Sequence, residues 1–243
     1  KLNATDQDSS GSRSGLNAFE MPAFELQPSK YFGLFDDFTA ISAGTGTTVD
    51  GDMASTHGGQ VWFADVGGSN DAITLVKEES GGVVEIHTGD TDDDTTTLTA
   101  ANATFAIDAA SARKLWFECR IKANDITDLS IFVGLASAAG AVETDAEGND
   151  WEDAIGFYVV EGAASQDINV LVAKGDTEAS TSLSTDLGNS YVILSYYFDG
   201  SILHAYVNGE LKASINSGLP NDGTIIYPTI SASTRDGGGG DNL

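Results

Sequence analysis

The sequence predicts an all-β protein: a two-sheet antiparallel jelly-roll sandwich with an extended N-terminal arm. The first observation is a pair of Asx-Gly turns, Asp199-Gly200 and Asn208-Gly209, on either side of a strand candidate at 202–207. Two-residue hairpin loops need φ > 0 at their central positions, which Gly and Asn adopt at little cost. The second observation is a series of short β-branched or aromatic runs, accompanied by 28 glycines and only 4 prolines. No segment keeps an apolar 3.6-residue period beyond a turn or two, and short strands with one apolar face pack as two sheets.

Residues 1–30 are predicted to form the extended arm, and residues 31–243 the sandwich. The segment 3–17 is rich in Ser, Asp and Gly and has almost no apolar side chains, so it cannot fold by itself. The rest of the arm combines large apolar side chains with Pro22 and Pro28, which exclude a helix interior or a central strand. Exposing these side chains in a free tail would lower solubility, so we expect them to bind another subunit; an unstructured tail is the alternative. The predicted subunit-binding residues are Phe19, Met21, Phe24, Leu26 and Tyr31.

The strand candidates of the sandwich are short and separated by Gly-rich or polar turns. In chain order they lie at 60–64, 72–77, 83–88, 114–122, 131–136, 154–160, 168–173, 191–198, 202–207, 210–215 and 225–231. Residues 90–97, which are Asp and Thr only, are predicted to be a polar loop or edge.

Segment 114–122 shows the clearest period-2 alternation, which is typical of a strand with one face in the core and one in solvent. The core-facing side chains are predicted to be Leu115, Phe117, Cys119 and Ile121. The solvent-facing side chains are predicted to be Trp116, Glu118, Arg120 and Lys122. Cys119 is the only cysteine, so no intrachain disulfide is available, and its core-facing position predicts an inert packed thiol.

The charge balance excludes two classes of partner. The chain has 11 Lys and Arg against 37 Asp and Glu, for a formal net charge of −26. Nucleic acid is excluded because binding it requires a basic surface that releases phosphate counterions. An anionic membrane face is excluded for the same reason. A strongly acidic surface favours partners that are cationic or that bring a divalent metal.

The order of elements in the second half resembles a known family. The matching elements are residues 117–122, 131–136 and 153–158, then 169–172, 186–188, the hairpin 206–210 and Leu219-Pro220. This order resembles the concanavalin A-like (laminin-G-type) jelly rolls found in structural proteins of bacteriophage particles, over roughly residues 110–243. The similarity is one of strand pattern and includes no catalytic motif.

The resemblance implies a non-enzymatic virion structural protein, most specifically a capsid decoration or cement protein that binds the assembled shell through its arm. It implies as partners the major capsid protein or other virion subunits, a homo-oligomeric state, and a location in a virion assembled in the host cytoplasm. The alternative interpretation is a carbohydrate-binding (lectin-like) module of a phage fibre or of a secreted bacterial protein.

The sequence does not indicate an enzyme, and no cofactor is required. Glycosidases need two carboxylates at a defined separation across a cleft, and the Glu-x-Asp-x-x-Glu strand of the glucanase branch of this superfamily is absent. The acidic run Asp90, Asp92, Asp93 and Asp94 is a candidate Ca²⁺ site, because Ca²⁺ takes several carboxylate and carbonyl oxygens. A solvated acidic loop is the alternative.

Six aromatic residues are candidates for stacking on sugar rings, although packing in the strands explains most of them equally well. They are Trp62, Trp116, Trp151, Tyr158, Tyr197 and Tyr206. Trp151 lies between Asp150 and Glu152 in a predicted loop. It is therefore the single residue we expect most to contact a glycan or a protein partner.

Overall fold

In the computed structural model, all described residues lie within the compact unit Leu34–Leu243. They are residues 36, 38, 41–42, 51–55, 61–66, 71–76, 82–89, 95–100, 105–108, 114–124, 129–137, 153–159, 167–175, 177–220 and 222–234. The predicted arm residues Phe19, Met21, Phe24, Leu26 and Tyr31 lie outside the described residues. Their role and the boundary at residue 30 stay predictions.

The described part of the chain forms sixteen β-strands and no helix, which confirms the all-β prediction. They are β1 (Ile41–Ser42), β2 (Gly51–Ser55), β3 (Val61–Val66), β4 (Ala72–Leu75), β5 (Val84–His87), β6 (Thr95–Ala100), β7 (Phe105–Asp108), β8 (Leu115–Ile121), β9 (Leu129–Ala136), β10 (Asp153–Val159), β11 (Asp167–Lys174), β12 (Thr177–Asp186), β13 (Val192–Phe198), β14 (Leu203–Val207), β15 (Glu210–Ile215) and β16 (Asp222–Thr234).

The strands form two main antiparallel sheets, as predicted for a jelly-roll sandwich. The large sheet has ten strands in the order β1-β2-β3-β6-β16-β9-β10-β11-β12, with β7 paired to β16. The second sheet has four strands in the order β15-β14-β13-β8. Strands β4 and β5 form a separate hairpin. The sequence-distant neighbours β6, β16 and β9 make the centre of the large sheet, so its register depends on contacts that no local pattern reveals.

Tyr196 joins the cores of the two sheets. Its ring is fully buried and stacks on Phe117 at 5.0 Å within the four-stranded sheet. Across the sandwich it lies 5.9 Å from the ring of Phe157, and its hydroxyl donates a 3.4 Å hydrogen bond to the carbonyl of Ile155. Burial raises the pKa of this phenol well above its usual range. Tyr196 is therefore a neutral side chain that fixes the spacing of the two sheets.

A second, smaller apolar cluster lies on the opposite face of the large sheet. It consists of Phe132, Ala136, Ala154, Leu171 and Ala173, with Tyr158 packed against it. The Phe132 ring lies over Gly156, where an added Cβ would be 2.5 Å from Phe132 Cε2. Because both faces of β9 and β10 are buried, the sequences of these strands are nearly continuous apolar runs and do not alternate between apolar and polar residues.

Residues 95–97 were expected to belong to a polar loop or edge, and this prediction is wrong. They begin β6, which lies between β3 and β16 in the large sheet. The outward threonines of β6 pair with serines of β16. Thr97 Oγ1 lies 3.0 Å from Ser231 Oγ, and Thr95 Oγ1 donates to Ser233 Oγ at 3.1 Å. Threonine is β-branched and its hydroxyl finds a partner across the strands, so a polar run forms a buried strand here.

Candidate functional site

An outward surface of the four-stranded sheet collects aromatic and charged side chains. On β8 the core-facing residues are those predicted, and Trp116, Glu118 and Arg120 therefore point away from the core. The antiparallel register places Tyr197 of β13 opposite Trp116 and Ser195 opposite Glu118. On β14, Tyr206 lies opposite Ser195. We call the surface formed by Trp116, Glu118, Arg120, Tyr191, Tyr197 and Tyr206 the aromatic face.

Trp116 is at the centre of three rings in the aromatic face. Its ring centroid lies 6.2 Å from that of Tyr197 and 6.3 Å from that of Tyr206, with tilts of 46° and 38°. All three side chains are partly exposed. Tilted rings at these separations are favourable aromatic contacts. The face is thus a packed, partly solvent-exposed apolar surface of Trp flanked by two Tyr.

The indole N–H of Trp116 is buried and has no hydrogen-bond acceptor within the described residues. A buried donor without a partner costs free energy, and such groups are rare in folded proteins. The centre of the aromatic face therefore includes an unsatisfied donor.

Glu118 lies beside Trp116 on the same face and is half-buried. Burial raises the pKa of its carboxyl to about 7. The described residues offer it no hydrogen bond or ion pair that would favour the charged form. At neutral pH the carboxyl is consequently divided between its neutral and ionised forms, and it can donate as well as accept a hydrogen bond.

Three cations lie over the tyrosine rings of the aromatic face. The guanidinium carbon of Arg120 is 3.8 Å from the centroid of Tyr191, and Lys122 Nζ is 4.6 Å from the same centroid. Lys114 Nζ lies 5.8 Å from the centroid of Tyr197. These separations are within the range of cation–π attraction. Arg120 and Tyr191 thus form one end of the face and Lys114 flanks the other.

A small polar cluster borders the face beside Tyr197. His204, opposite Tyr197 on β14, has Nδ1 2.9 Å from Ser214 Oγ and Nε2 3.8 Å from Asp199 Oδ2. Asp199 Oδ1 accepts hydrogen bonds of 2.8 Å from the backbone N–H groups of Ser201 and Ile202. These two N–H groups, with Ile202 the larger contribution, lower the pKa of Asp199. Asp199 therefore holds the Asp-Gly turn and supplies an anionic edge to the site.

Among the described residues, the centre of the outward face of the large sheet has no comparable group of exposed aromatic side chains. The residues of its central strands are buried there: Thr97, Thr99, Phe132, Thr229 and Ser231 are at most 2 % exposed. The serine and threonine hydroxyls are used in cross-strand pairs such as Thr97 with Ser231. Partly exposed aromatic and charged side chains are found instead on the outward face of the four-stranded sheet.

The six aromatic residues predicted as candidates for sugar contact lie in different environments. Trp116, Tyr197 and Tyr206 come together in the aromatic face. Trp62 is only 4 % exposed, and its indole N–H donates a 2.8 Å hydrogen bond to Asp36 Oδ2, so it is a core residue. Tyr158 packs against the second apolar cluster. Trp151 lies outside the described residues, and its predicted contact role is untested.

The predicted calcium residues Asp90, Asp92, Asp93 and Asp94 also lie outside the described residues. Among the residues that are described, no group of three or more His, Cys, Asp or Glu side chains could hold a metal ion. Cys119 packs against the core, where burial raises the pKa of its thiol, as expected for an inert residue. A helix long and apolar enough to cross a membrane is not found in the described ranges.

Sequence reasoning did not single out Tyr191 or the role of Arg120 and Glu118. The alternation of 114–122 predicted correctly that Glu118 and Arg120 face outward. It could not show that Tyr191, which precedes β13, would lie beneath the guanidinium of Arg120. That contact depends on the pairing of β8 with β13, strands between which residues 122–191 intervene.

Comparisons with known proteins describe the fold. No protein-family model matches the chain, and no curated protein sequence does so either. Among solved structures, a Bacteroides ovatus GH16 protein in complex with a mixed-linkage glucan product is similar at a TM-score of 0.55 and 12 % identity, covering 85 % of this chain and 94 % of that one. The carbohydrate recognition domain of Emp46p is similar at 0.50 and 9 %, covering 74 % and 84 %. Peanut lectin is similar at 0.50 and 13 %, covering 76 % and 94 %.

These identities are low, so the similarity shows the fold alone. The expected concanavalin A-like architecture is confirmed, whereas the bacteriophage context of the resemblance stays a prediction. The chain has the jelly-roll fold of concanavalin A-like lectins and glucanases.

Proposed function

We propose that this protein binds carbohydrate through the aromatic face and does not catalyse a reaction. The observation that carries the proposal is the contact of the Trp116 ring with both Tyr197 and Tyr206 on an outward sheet surface. Pyranose rings have apolar C–H faces, and these faces lose contact with water when they pack on aromatic rings. A tryptophan flanked by two tyrosines is a surface suited to this contact.

Hydrogen-bonding groups around the three rings suit the hydroxyls of a sugar. Glu118, with a carboxyl pKa of about 7, can donate or accept. His204, Ser214 and Asp199 add further donors and acceptors beside Tyr197. Sugar hydroxyls both donate and accept, and a mixed set of partners orients them.

The comparisons support carbohydrate binding over the virion role. The solved structures with this fold named above are a carbohydrate recognition domain, a lectin and a GH16 protein bound to a glucan product. They support the lectin-like alternative at the level of fold, and none of their described properties supports a capsid decoration protein. The virion role, its capsid partners and the homo-oligomeric state stay predictions from the sequence resemblance.

The non-enzymatic part of the proposal rests on the carboxylates of the face. Glycoside hydrolysis needs a pair of carboxyl groups flanking the scissile bond. Glu118 is the single carboxyl among the six residues of the aromatic face. Asp199, at its border, already accepts two backbone hydrogen bonds that hold its turn. A binding surface therefore fits this set of residues better than a hydrolytic one.

A glycan array tests the proposal, with the full chain, the Trp116→Ala variant and a matched control. Phe63→Ala is that control, because Phe63 is an exposed aromatic at 41 % on β3 of the other sheet. The parent should bind a defined group of glycans, and Trp116→Ala should weaken binding by about tenfold or more through the lost ring contact. Phe63→Ala should bind as the parent does. Absence of glycan binding by the parent, or equal binding by a folded Trp116→Ala protein, would refute the proposal.

A further inference from the structure

We infer that the carbohydrate bound by the aromatic face carries an acidic group, a carboxylate or a sulfate ester, and that Arg120 recognises it. The inference rests on the proposed function and adds the class of ligand. It is carried by the surroundings of Arg120 and by the distribution of charge along the chain.

Positive charge is concentrated at this face in an otherwise acidic protein. Residues 114–122 contain three of the 11 basic residues of the chain, Lys114, Arg120 and Lys122. The same nine residues contain one acidic side chain, Glu118, out of 37. Electrostatic interactions between exposed charges are largely screened beyond about 10 Å at 0.1 M salt. A ligand near Arg120 therefore experiences Lys122 and Glu118 far more than the net charge of −26, whereas Asp199 offsets the charge of Lys114 at the other end of the face.

Arg120 is exposed and makes no ion pair with any described carboxylate. In a chain with more than three acids for each base, a basic side chain without an acidic partner is unusual. Its guanidinium contacts the ring of Tyr191 at 3.8 Å instead. An aromatic contact restricts the guanidinium without using its N–H donors, and these donors match the two oxygens of a carboxylate or a sulfate. Arg120 is thus restrained by the tyrosine ring, and no acceptor among the described residues pairs with its N–H donors.

The spacing along β8 indicates an oligosaccharide rather than a single sugar. Trp116 and Arg120 are four residues apart on one strand, which corresponds to roughly 13 Å. One ring can pack on Trp116 while an acidic group on a neighbouring ring of the same glycan reaches Arg120. Glu118 lies between them, and because burial raises its pKa to about 7, its opposing charge is only partial at neutral pH.

An alternative role for Arg120 and its neighbouring lysines is to protect the edge of the four-stranded sheet from association with other chains. Strand β8 is an edge strand of the four-stranded sheet, and lysine or arginine on an edge strand discourages association with other strands. That role predicts aggregation of an Arg120→Gln variant without any change in ligand preference. The contact with Tyr191, and the lack of a carboxylate partner for Arg120 among the described side chains, favour recognition of an anion.

The test measures binding of the full chain to three polysaccharide probes by affinity electrophoresis. They are alginate, which carries carboxylates, dextran sulfate, which carries sulfate esters, and neutral dextran. Arg120→Gln is compared with Lys174→Gln, which also removes one positive charge but lies at the end of β11 in the other sheet. Because the net charge is −26, the protein as a whole repels polyanions, so binding to an acidic probe reports a local site.

The parent should bind at least one acidic probe more tightly than dextran, and about 0.5 M salt should weaken this binding by screening. Arg120→Gln should weaken it by about two- to fivefold, as for the loss of one exposed ion pair, and Lys174→Gln should not. Equal binding of dextran and the acidic probes, or unchanged binding by Arg120→Gln, would overturn the inference. If neutral glycans on the array bind through Trp116 while no acidic probe binds, the inference fails and the proposed function stands. If no glycan binds at all, both fail.

Discussion

Asn208 and Ile193 are joined by two hydrogen bonds that tie a hairpin turn to the neighbouring strand. The backbone N–H of Asn208 donates to the carbonyl of Ile193 at 2.8 Å, and the Asn208 side-chain oxygen accepts from the N–H of Ile193 at 2.9 Å. Asn208 and Gly209 have φ values of 50° and 79°, as a type I′ turn requires. The turn between β14 and β15 is thereby fixed against β13, and with it the register that places Tyr206 opposite Ser195 and its ring 6.3 Å from that of Trp116.

Gly209→Ala should destabilise the protein by about 1–2 kcal/mol, because the Cβ atom of alanine clashes with the backbone at positive φ and glycine has no Cβ atom. Urea unfolding at equilibrium measures the change. Gly188→Ala is the control, since Gly188 does not have a left-handed φ and an added Cβ would contact nothing within 4 Å. Equal stability of the two variants would show that the turn at 208–209 does not depend on positive φ.

Gly156→Ala should cost about 1–3 kcal/mol through overpacking of the second apolar cluster. A Cβ at this position would lie 2.5 Å from Phe132 Cε2 and 2.7 Å from the carbonyl oxygen of Val133. A double-mutant cycle with Phe132→Ala measures how much of this cost comes from the clash with the Phe132 ring. The cost of Gly156→Ala should fall when Phe132 is absent, though not to zero because the Val133 carbonyl remains. A cost that is independent of Phe132 would contradict the packing described for this face.

Glu118→Gln should make the protein more stable at alkaline pH and should change little at mildly acidic pH. Burial raises the pKa of Glu118 from 4.5 to about 7, so between these values the folded state binds more protons than the unfolded state. The parent therefore loses stability as pH rises through this window, and glutamine does not. After allowance for solvent screening, the gain is on the order of 1 kcal/mol at about pH 8.

Unfolding in urea at about pH 5.5 and about pH 8 measures this difference, since the two values bracket most of the transition. Glu210→Gln is the control: it removes a carboxylate from the same sheet, but that side chain is 74 % exposed. A pH-independent effect of Glu118→Gln, or the same pH dependence in both variants, would show that Glu118 is not buried in the way described.

The acidic run at Asp90, Asp92, Asp93 and Asp94 gives a separate prediction from the sequence. If these carboxylates bind Ca²⁺, millimolar calcium should raise the melting temperature, because a ligand that binds the native state alone stabilises it. Replacing Asp92 and Asp93 by Asn should abolish that rise. Identical melting in calcium and in chelator at matched ionic strength would support a solvated loop.

Local patterns predicted the parts of this fold that depend on neighbouring residues. The Asn208-Gly209 turn and the alternation along 114–122 are of this kind, since φ preferences and period-2 burial act within a few residues. Strand β6 was missed because its threonines are polar and become buried only through pairing with β16. The Ser- and Thr-rich strand β12 was missed because it is an exposed edge with little apolar content.

In the candidate site, too, single residues were predictable from local patterns, whereas their contacts across strands were not. Trp116, Tyr197 and Tyr206 were among the aromatic candidates, but their assembly depends on the register of β8, β13 and β14. The contact of Arg120 with Tyr191 joins residues on two strands that are distant in sequence. The periodicity of the sequence does not indicate such a contact. The raised pKa of Glu118 cannot be predicted from the sequence either, because it depends on burial that only the folded sheet produces.

The most direct measurement is an NMR titration of the isotope-labelled chain with the tightest-binding glycan from the array. The indole N–H of Trp116 and the amides around Tyr197 and Tyr206 should shift progressively as the glycan is added, whereas the amides of β11 and β12 should not. This result would place the ligand on the aromatic face. Shifts confined to the ten-stranded sheet, with the Trp116 indole signal unchanged, would contradict the proposed site.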